Sequence, residues 1–130
     1  VLDAKLDIFE EELVLRQAVA DRYQKLIGDI VDAPRVQSGV KSSWAQYCIK
    51  LPKTSDRDQV IKHLGASGVP TAIYYPIPMH QQLPYKSFPK SQCGLGVTLD
   101  CCSRVLALPM HPYLDETQQQ HIAKELRNAL

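Results

Sequence analysis

The sequence predicts an α+β fold: a small antiparallel sheet of about three strands, helices packed on one face, and a long helix at the N-terminus. Three observations predict it. Apolar residues recur at helical spacing through the first thirty positions, three short β-favouring runs end at prolines or glycines, and helical periods stand between and after those runs.

The long helix comes first. Leu2, Leu6, Phe9, Leu13, Ala20, Tyr23, Ile27 and Ile30 repeat at spacings of three, four or seven, an apolar stripe on one face. Asp3, Glu10, Glu11, Arg16, Asp21 and Lys25 fall mostly off the stripe, and no Pro or Gly intervenes before Gly28. The pattern predicts a helix of about 28 residues, roughly 40 Å long. A domain of this size has a radius of gyration of only about 14 Å. Such a helix must overhang its own domain, so part of its stripe is expected to lie against something else.

Ser43 to Leu51 is rich in aromatic and β-favouring residues and predicts the first strand, with Ala45, Tyr47, Ile49 and Leu51 on one face. Ser55 followed by Asp58 predicts a capping box opening a helix with Val60, Ile61 and Leu64 inward; Gly65 and Gly68 supply its stop. Val69 to Tyr75 predicts a second strand bounded by Pro76. From Pro76 to Tyr85 three prolines forbid regular structure. Lys86 to Gly96 reads as loop, and Val97 to Arg104 is ambiguous with a short helix as one reading. Val105 to Met110 predicts the third strand. Asp115 is the expected N-cap of a last helix with Ile122, Leu126 and Leu130 inward.

Bulk properties narrow the function. The 130 residues suit one domain, and the net charge of +1 argues against nucleic acid or an anionic membrane as partner. No apolar run approaches the roughly 18–20 residues that span a bilayer. The charged first residues do not form a signal peptide. Cys48, Cys93, Cys101 and Cys102 show no CxxC and no short-loop framework, so free thiols in a reducing cytosol are expected.

Chemistry concentrates in Tyr74-Tyr75-Pro76-Ile77-Pro78-Met79-His80, with Tyr85 beyond. Two tyrosines at a strand end and a histidine in a proline-stiffened loop preorganise hydrogen-bonding tips suited to sugar hydroxyls, a phosphate or a stacked base. The structural alternative puts one tyrosine in the core, since strand neighbours face opposite ways, and has His80 cap a carbonyl. His111 is a second candidate, with a solvent-facing turn as its alternative role. No Asp, Glu or Cys joins His80 and His111 at metal-ligand spacing. There is no Gly-x-Ser-x-Gly, no Cys-His motif, no dinucleotide loop and no Walker A sequence. These residues hold no self-sufficient catalytic set.

Four segments in order resemble the DegT/DnrJ/EryC1/StrS family of sugar aminotransferases. Ala18 to Tyr23, with Arg16 upstream, looks like its Arg-x-x-x-Ala-x-x-Tyr helix. Ser43-Trp44-Ala45-Gln46-Tyr47 is similar to its Ser-x-Trp-x-Gln-Tyr strand. Tyr75 to Gln82 followed by Tyr85 resembles its Tyr-x-x-Pro-x-His-x-Gln loop, and Leu108-Pro109-Met110-His111-Pro112 its Leu-Pro-Met-His-Pro segment.

The resemblance implies the small C-terminal domain of an enzyme with the aspartate-aminotransferase fold. Residues 1–33 would be a linker helix and 34–130 the substrate-side domain, with the domain that carries pyridoxal phosphate and the Schiff-base lysine absent. It implies transfer of an amino group, usually from glutamate, to a keto group on a nucleotide-linked sugar. Pyridoxal phosphate belongs to the full-length enzyme, and none is expected on this chain alone. Tyr75, His80 and Tyr85 become candidate substrate contacts, with no catalytic or cofactor-binding residue carried over. A cytoplasmic homodimer active in polysaccharide biosynthesis is the implied setting. Two other readings stay open: a free-standing dimerisation module that uses the helix stripe, and a dehydratase of the same family. Residues Lys86 to Cys102 depart from the family pattern through Gly94, Gly96, Cys101 and Cys102.

Overall fold

The computed structural model describes residues 2–130, except for the side chains of Leu2 and Ala4. In chain order the elements are α1 (Leu2–Leu6), α2 (Phe9–Ile27), β1 (Tyr47–Lys50), α3 (Arg57–Ala66), two one-turn 3-10 helices (Met79–Gln81 and Leu83–Tyr85), α4 (Gly96–Arg104), β2 (Val105–Leu108) and α5 (Glu116–Ala129).

The long helix is two helices. It breaks at Asp7 and Ile8, both weak helix formers, where no side chain caps the new N-terminus. Nothing from the sheet domain packs there to override propensity: Leu6, Ile8 and Phe9 are all exposed. The remaining helix, α2, runs about 28 Å. Val19, Ala20, Tyr23 and Ile27 in its second half are buried, while Leu6 stays 59% and Phe9 46% exposed. The overhang survives the break. The expected contribution of the Leu2 side chain lies outside the described residues.

β1 and β2 pair antiparallel, Tyr47 opposite Leu108 and Ile49 opposite Leu106. These four residues are buried in one cluster with Val19, Tyr23 and Ile27 of α2, Val60 and Leu64 of α3, and Ile122 and Leu126 of α5. Cys48 and Lys50, alternating with them, are half-buried. Helices therefore cover one face of the pair, as the alternation predicts. Each fully buried aliphatic side chain contributes about 1.5–3 kcal/mol through lost water contact.

The sheet has two strands, not three. Val69 to Tyr75 contributes one bridge, in which Ala72 and Ala107 exchange both backbone hydrogen bonds at 3.2 and 2.8 Å. Pro70 has no N–H to extend the ladder and Pro76 closes it on the other side. Asp32 bridges Lys50 on the opposite edge. The first strand is also shorter than expected. Ala45 is exposed because Trp44 turns the chain with φ of +47° before pairing begins.

Helix ends follow short-range chemistry. Asp115 and Gln118 form a reciprocal capping box on α5, the Gln118 N–H donating to Asp115 Oδ1 at 2.7 Å. Asp56, not Ser55, caps α3, accepting from the N–H groups of Asp58 and Gln59. The Ser55 N–H is already spent in a turn to the Pro52 carbonyl. α3 ends in a Schellman motif: Val69 N–H donates to Leu64 O and Gly68 N–H to Gly65 O, with Gly68 at φ +77°. Leu130, expected inward, is exposed as the residue beyond the last helical turn.

Candidate functional site

The Tyr75–Tyr85 loop is rigid for local reasons. Pro76 and Pro78 fix φ, and each 3-10 turn closes on itself: Gln81 N–H to Pro78 O at 2.9 Å, Gln82 N–H to Met79 O at 3.0 Å, Tyr85 N–H to Gln82 O at 3.0 Å. The Gln82 side-chain amide donates back to Ile77 O. Pro78 is the buried pin of the loop.

Tyr74 and Tyr75 are both exposed, at 42% and 69%, so neither is the core tyrosine that strand alternation implied. The chain leaves the sheet after Ala72, and the alternation rule stops there. Their rings meet edge to face at 5.8 Å. His80 is half-buried, and Tyr85 packs its ring against Phe88 at 6.1 Å. Ile77, Met79, Leu83 and Phe88 add exposed apolar surface to the same segment.

The structure brings His80 into a cleft and leaves the two tyrosines outside its lining. The cleft, of about 640 Å³, is walled by His80, Gln81, Lys86, Lys90, Ser91, Gly94, Leu95 and Leu99. Lys86, Lys90 and Ser91 escaped the sequence reading because 86–96 carries no periodicity; two lysines at a spacing of four were the available signal. His111 is exposed in the turn before Leu114, lining a separate cleft with His121 and Gln118. No cluster of three metal-ligating side chains occurs among the described residues.

The segments that carry the family resemblance turn out to hold one another. The buried Tyr23 hydroxyl donates to Pro109 O at 2.9 Å and its ring stacks on Tyr47 at 4.8 Å. Arg16 donates to Trp44 O, and Trp44 Nε1 donates to Gln17 Oε1 at 2.8 Å, clamping the left-handed turn at Trp44. Such a backbone conformation costs a bulky residue about 1–3 kcal/mol, which these bonds and the buried indole offset. Burial pushes the phenol of Tyr47 up to about 12. Three of the four motifs are thus a frame. The fourth is the exposed loop.

Pyridoxal phosphate does not fit this set of residues. Its Schiff-base lysine must be desolvated enough to lose its proton. Every lysine here is exposed except the half-buried Lys50, and a hydrogen bond and ion pair with Asp32 at 2.7 Å hold that ammonium charged. All four cysteines are free. No helix among the described residues is long and apolar enough to cross a membrane.

Known proteins share this frame. A family model for DegT/DnrJ/EryC1/StrS aminotransferases matches residues 1–127. A UDP-2-acetamido-2-deoxy-3-oxo-D-glucuronate aminotransferase of Pseudomonas aeruginosa is 37% identical over 98% of this chain and 34% of its own length. A UDP-N-acetyl-3-dehydro-alpha-D-glucosamine 3-aminotransferase of Acidithiobacillus ferrooxidans is 36% identical over 88% of this chain and 30% of its own length. The crystal structure of a DegT DnrJ EryC1 StrS aminotransferase from Brucella abortus superposes with a TM-score of 0.92 at 41% identity, covering 98% of this chain and 34% of that one. The chain belongs to the DegT/DnrJ/EryC1/StrS aminotransferase family and spans about one third of the length of these relatives.

Proposed function

We propose that the chain is the substrate-side C-terminal domain of a pyridoxal-phosphate-dependent aminotransferase acting on a nucleotide-linked keto-sugar, with glutamate as amino donor. The carrying observation is a match over nearly the whole chain that covers a third of each sugar aminotransferase, in a chain without a lysine fit for a Schiff base. The chemistry then lies in the rest of the enzyme, and this domain is inactive alone. Tyr75, His80 and Tyr85 contact the substrate from the loop. The exposed first half of the helix stripe, Leu6 and Phe9, meets the cofactor-bearing domain. Four free thiols suit a reducing cytoplasm, where nucleotide sugars serve polysaccharide synthesis.

The test joins the chain to the lysine-bearing portion of the Pseudomonas aeruginosa relative and measures glutamate-dependent amination of a UDP-linked 3-keto-sugar. Amination by the joined protein and none by the chain alone is expected. Turnover by the chain alone with added cofactor overturns the reading, and elimination of a sugar hydroxyl in place of amination makes the protein a dehydratase. The exposed stripe also favours a second reading, a dimerisation module, in which the isolated chain forms a dimer through α1 and the start of α2.

A further inference from the structure

A hydrogen-bond relay on α2 ends at an exposed carboxylate. The buried Trp44 indole donates through Nε1 to Gln17 Oε1 at 2.8 Å, and the Gln17 amide donates on to Asp21 Oδ1 at 2.8 Å. The amide orientation is set, because only its oxygen can accept from an indole N–H. Asp21 is therefore anchored, although a carboxylate on a solvated helix face ordinarily turns freely among its rotamers. It is in no ion pair among the described residues. Its charge is nonetheless felt in the core: burial first, and then Asp21, raises the pKa of the Tyr47 phenol, whose buried hydroxyl has no protein hydrogen-bond partner. A cation beside Asp21 would relieve that field.

Asp21 and Gln17 line a cleft of about 450 Å³ between α2 and the segment leading to β1. Arg35, on that segment, lines the same cleft; it is exposed and also outside every ion pair among the described residues. Asp32 feels the Arg35 charge, but Lys50 holds Asp32 at 2.7 Å. One anion and one cation thus share a cleft without meeting. Ala20, Pro34 and Val36 supply apolar wall beside them.

A ligand carrying one charge satisfies one of the two groups and leaves the other uncompensated. A phosphate is repelled by Asp21, and a neutral sugar answers neither charge. An ammonium and a carboxylate on one carbon answer both: the free oxygen of Asp21 accepts from the ammonium, and the guanidinium fork matches a carboxylate. We infer that this cleft binds a free α-amino acid with an aliphatic side chain. Asp21, steered by Gln17 and Trp44, takes the ammonium, Arg35 takes the carboxylate, and the apolar wall takes the side chain. The cleft shares no lining residue with the one beside His80, and the inference does not rest on the sugar-nucleotide reading.

Trp44 is the one tryptophan of the chain, so its emission reports on this cleft directly. The experiment titrates the chain with L-valine, with isovalerate, which lacks the ammonium, and with isobutylamine, which lacks the carboxylate, reading Trp44 emission and amide shifts. L-valine is expected to move the emission and the amides of Gln17 to Gln24 and of Arg35 and Val36. Each single-charge analogue should bind about tenfold more weakly or worse. Asp21→Asn keeps the acceptor for Gln17 and removes the charge; it and Arg35→Gln should each weaken valine about tenfold or more. Lys53→Gln, at an exposed lysine outside the cleft, should leave valine affinity unchanged. Valine binding no tighter than either analogue, wild-type affinity in either cleft variant, shifts confined to other surfaces, or no saturation by about 10 mM overturns the site. Asp21 and Arg35 are exposed, and an amide spectrum unchanged away from the cleft confirms that the variants fold. The ligand series on the wild-type chain tests the site without any substitution.

Discussion

At the scale of single residues, the division of labour is between groups that hold the frame and groups that face outward. Gln119 is fully buried and shows the first kind: its amide donates to Val19 O at 2.9 Å and its oxygen accepts from Arg22 Nε, while Arg22 also reaches Leu114 O at 2.8 Å. Gln119→Leu strips partners from a half-buried guanidinium and a buried carbonyl, and should lower unfolding free energy by about 1–3 kcal/mol in urea titrations. Tyr75 and His80 are of the second kind. In the joined enzyme, the proposed substrate contacts predict that Tyr75→Phe or His80→Ala raises KM for the sugar nucleotide more than it lowers kcat. Unchanged kinetics in both would assign them to the frame.

Elements are bounded by caps and coupled by a few polar clasps. Asp115→Ala removes the side-chain half of the capping box on α5, the acceptor for the Gln118 N–H, and should cost about 1 kcal/mol, read as a shift in the urea midpoint. α3 and α5 are clasped at Glu125, which accepts from Ser67 Oγ and meets His63 Nε2, both at 3.1 Å. The Ser67 hydroxyl first, then His63, holds the Glu125 carboxyl below its usual range. A carboxyl depressed in the folded state contributes stability that is present above its unfolded value near 4.5 and lost as pH falls through the folded one. Wild type should therefore lose its stability advantage over Glu125→Gln as pH drops below about 4.5, measured by thermal midpoints across pH 2.5–7. An advantage that did not change with pH would remove the clasp from the acid response.

For the whole molecule, the consequence of the overhanging N-terminal helices is an apolar surface that the rest of the described chain leaves exposed. Leu6, Ile8, Phe9 and Val14 are exposed on a helical arm whose other half is locked into the core by Val19, Tyr23 and Ile27. The isolated chain should self-associate at tens of micromolar in sedimentation, and Leu6→Ser/Phe9→Ser should shift it to monomer with little loss of stability. A wild-type chain that sediments as monomer would separate that arm from any dimer.

The sequence alone determined what depends on neighbours along the chain. The stripe on α2, the alternation of Tyr47, Ile49 and Leu51, the Asp115 cap and the glycine stop at Gly68 need only local periodicity and backbone preference, and all four stand. So does the proline-stiffened loop, because φ restriction is a property of the residue. Only the tertiary structure decided the rest. The break at Asp7 and Ile8 reflects missing packing partners, which periodicity does not register. The second strand shrank to Ala72 because Ala107 offers pairing at one position and the prolines offer none. Both tyrosines of the loop went outward for the same reason. The cleft that joins His80 to Lys86 and Lys90 is walled by the first 3-10 turn, the 86–95 segment and Leu99 of α4, segments that no spacing rule connects.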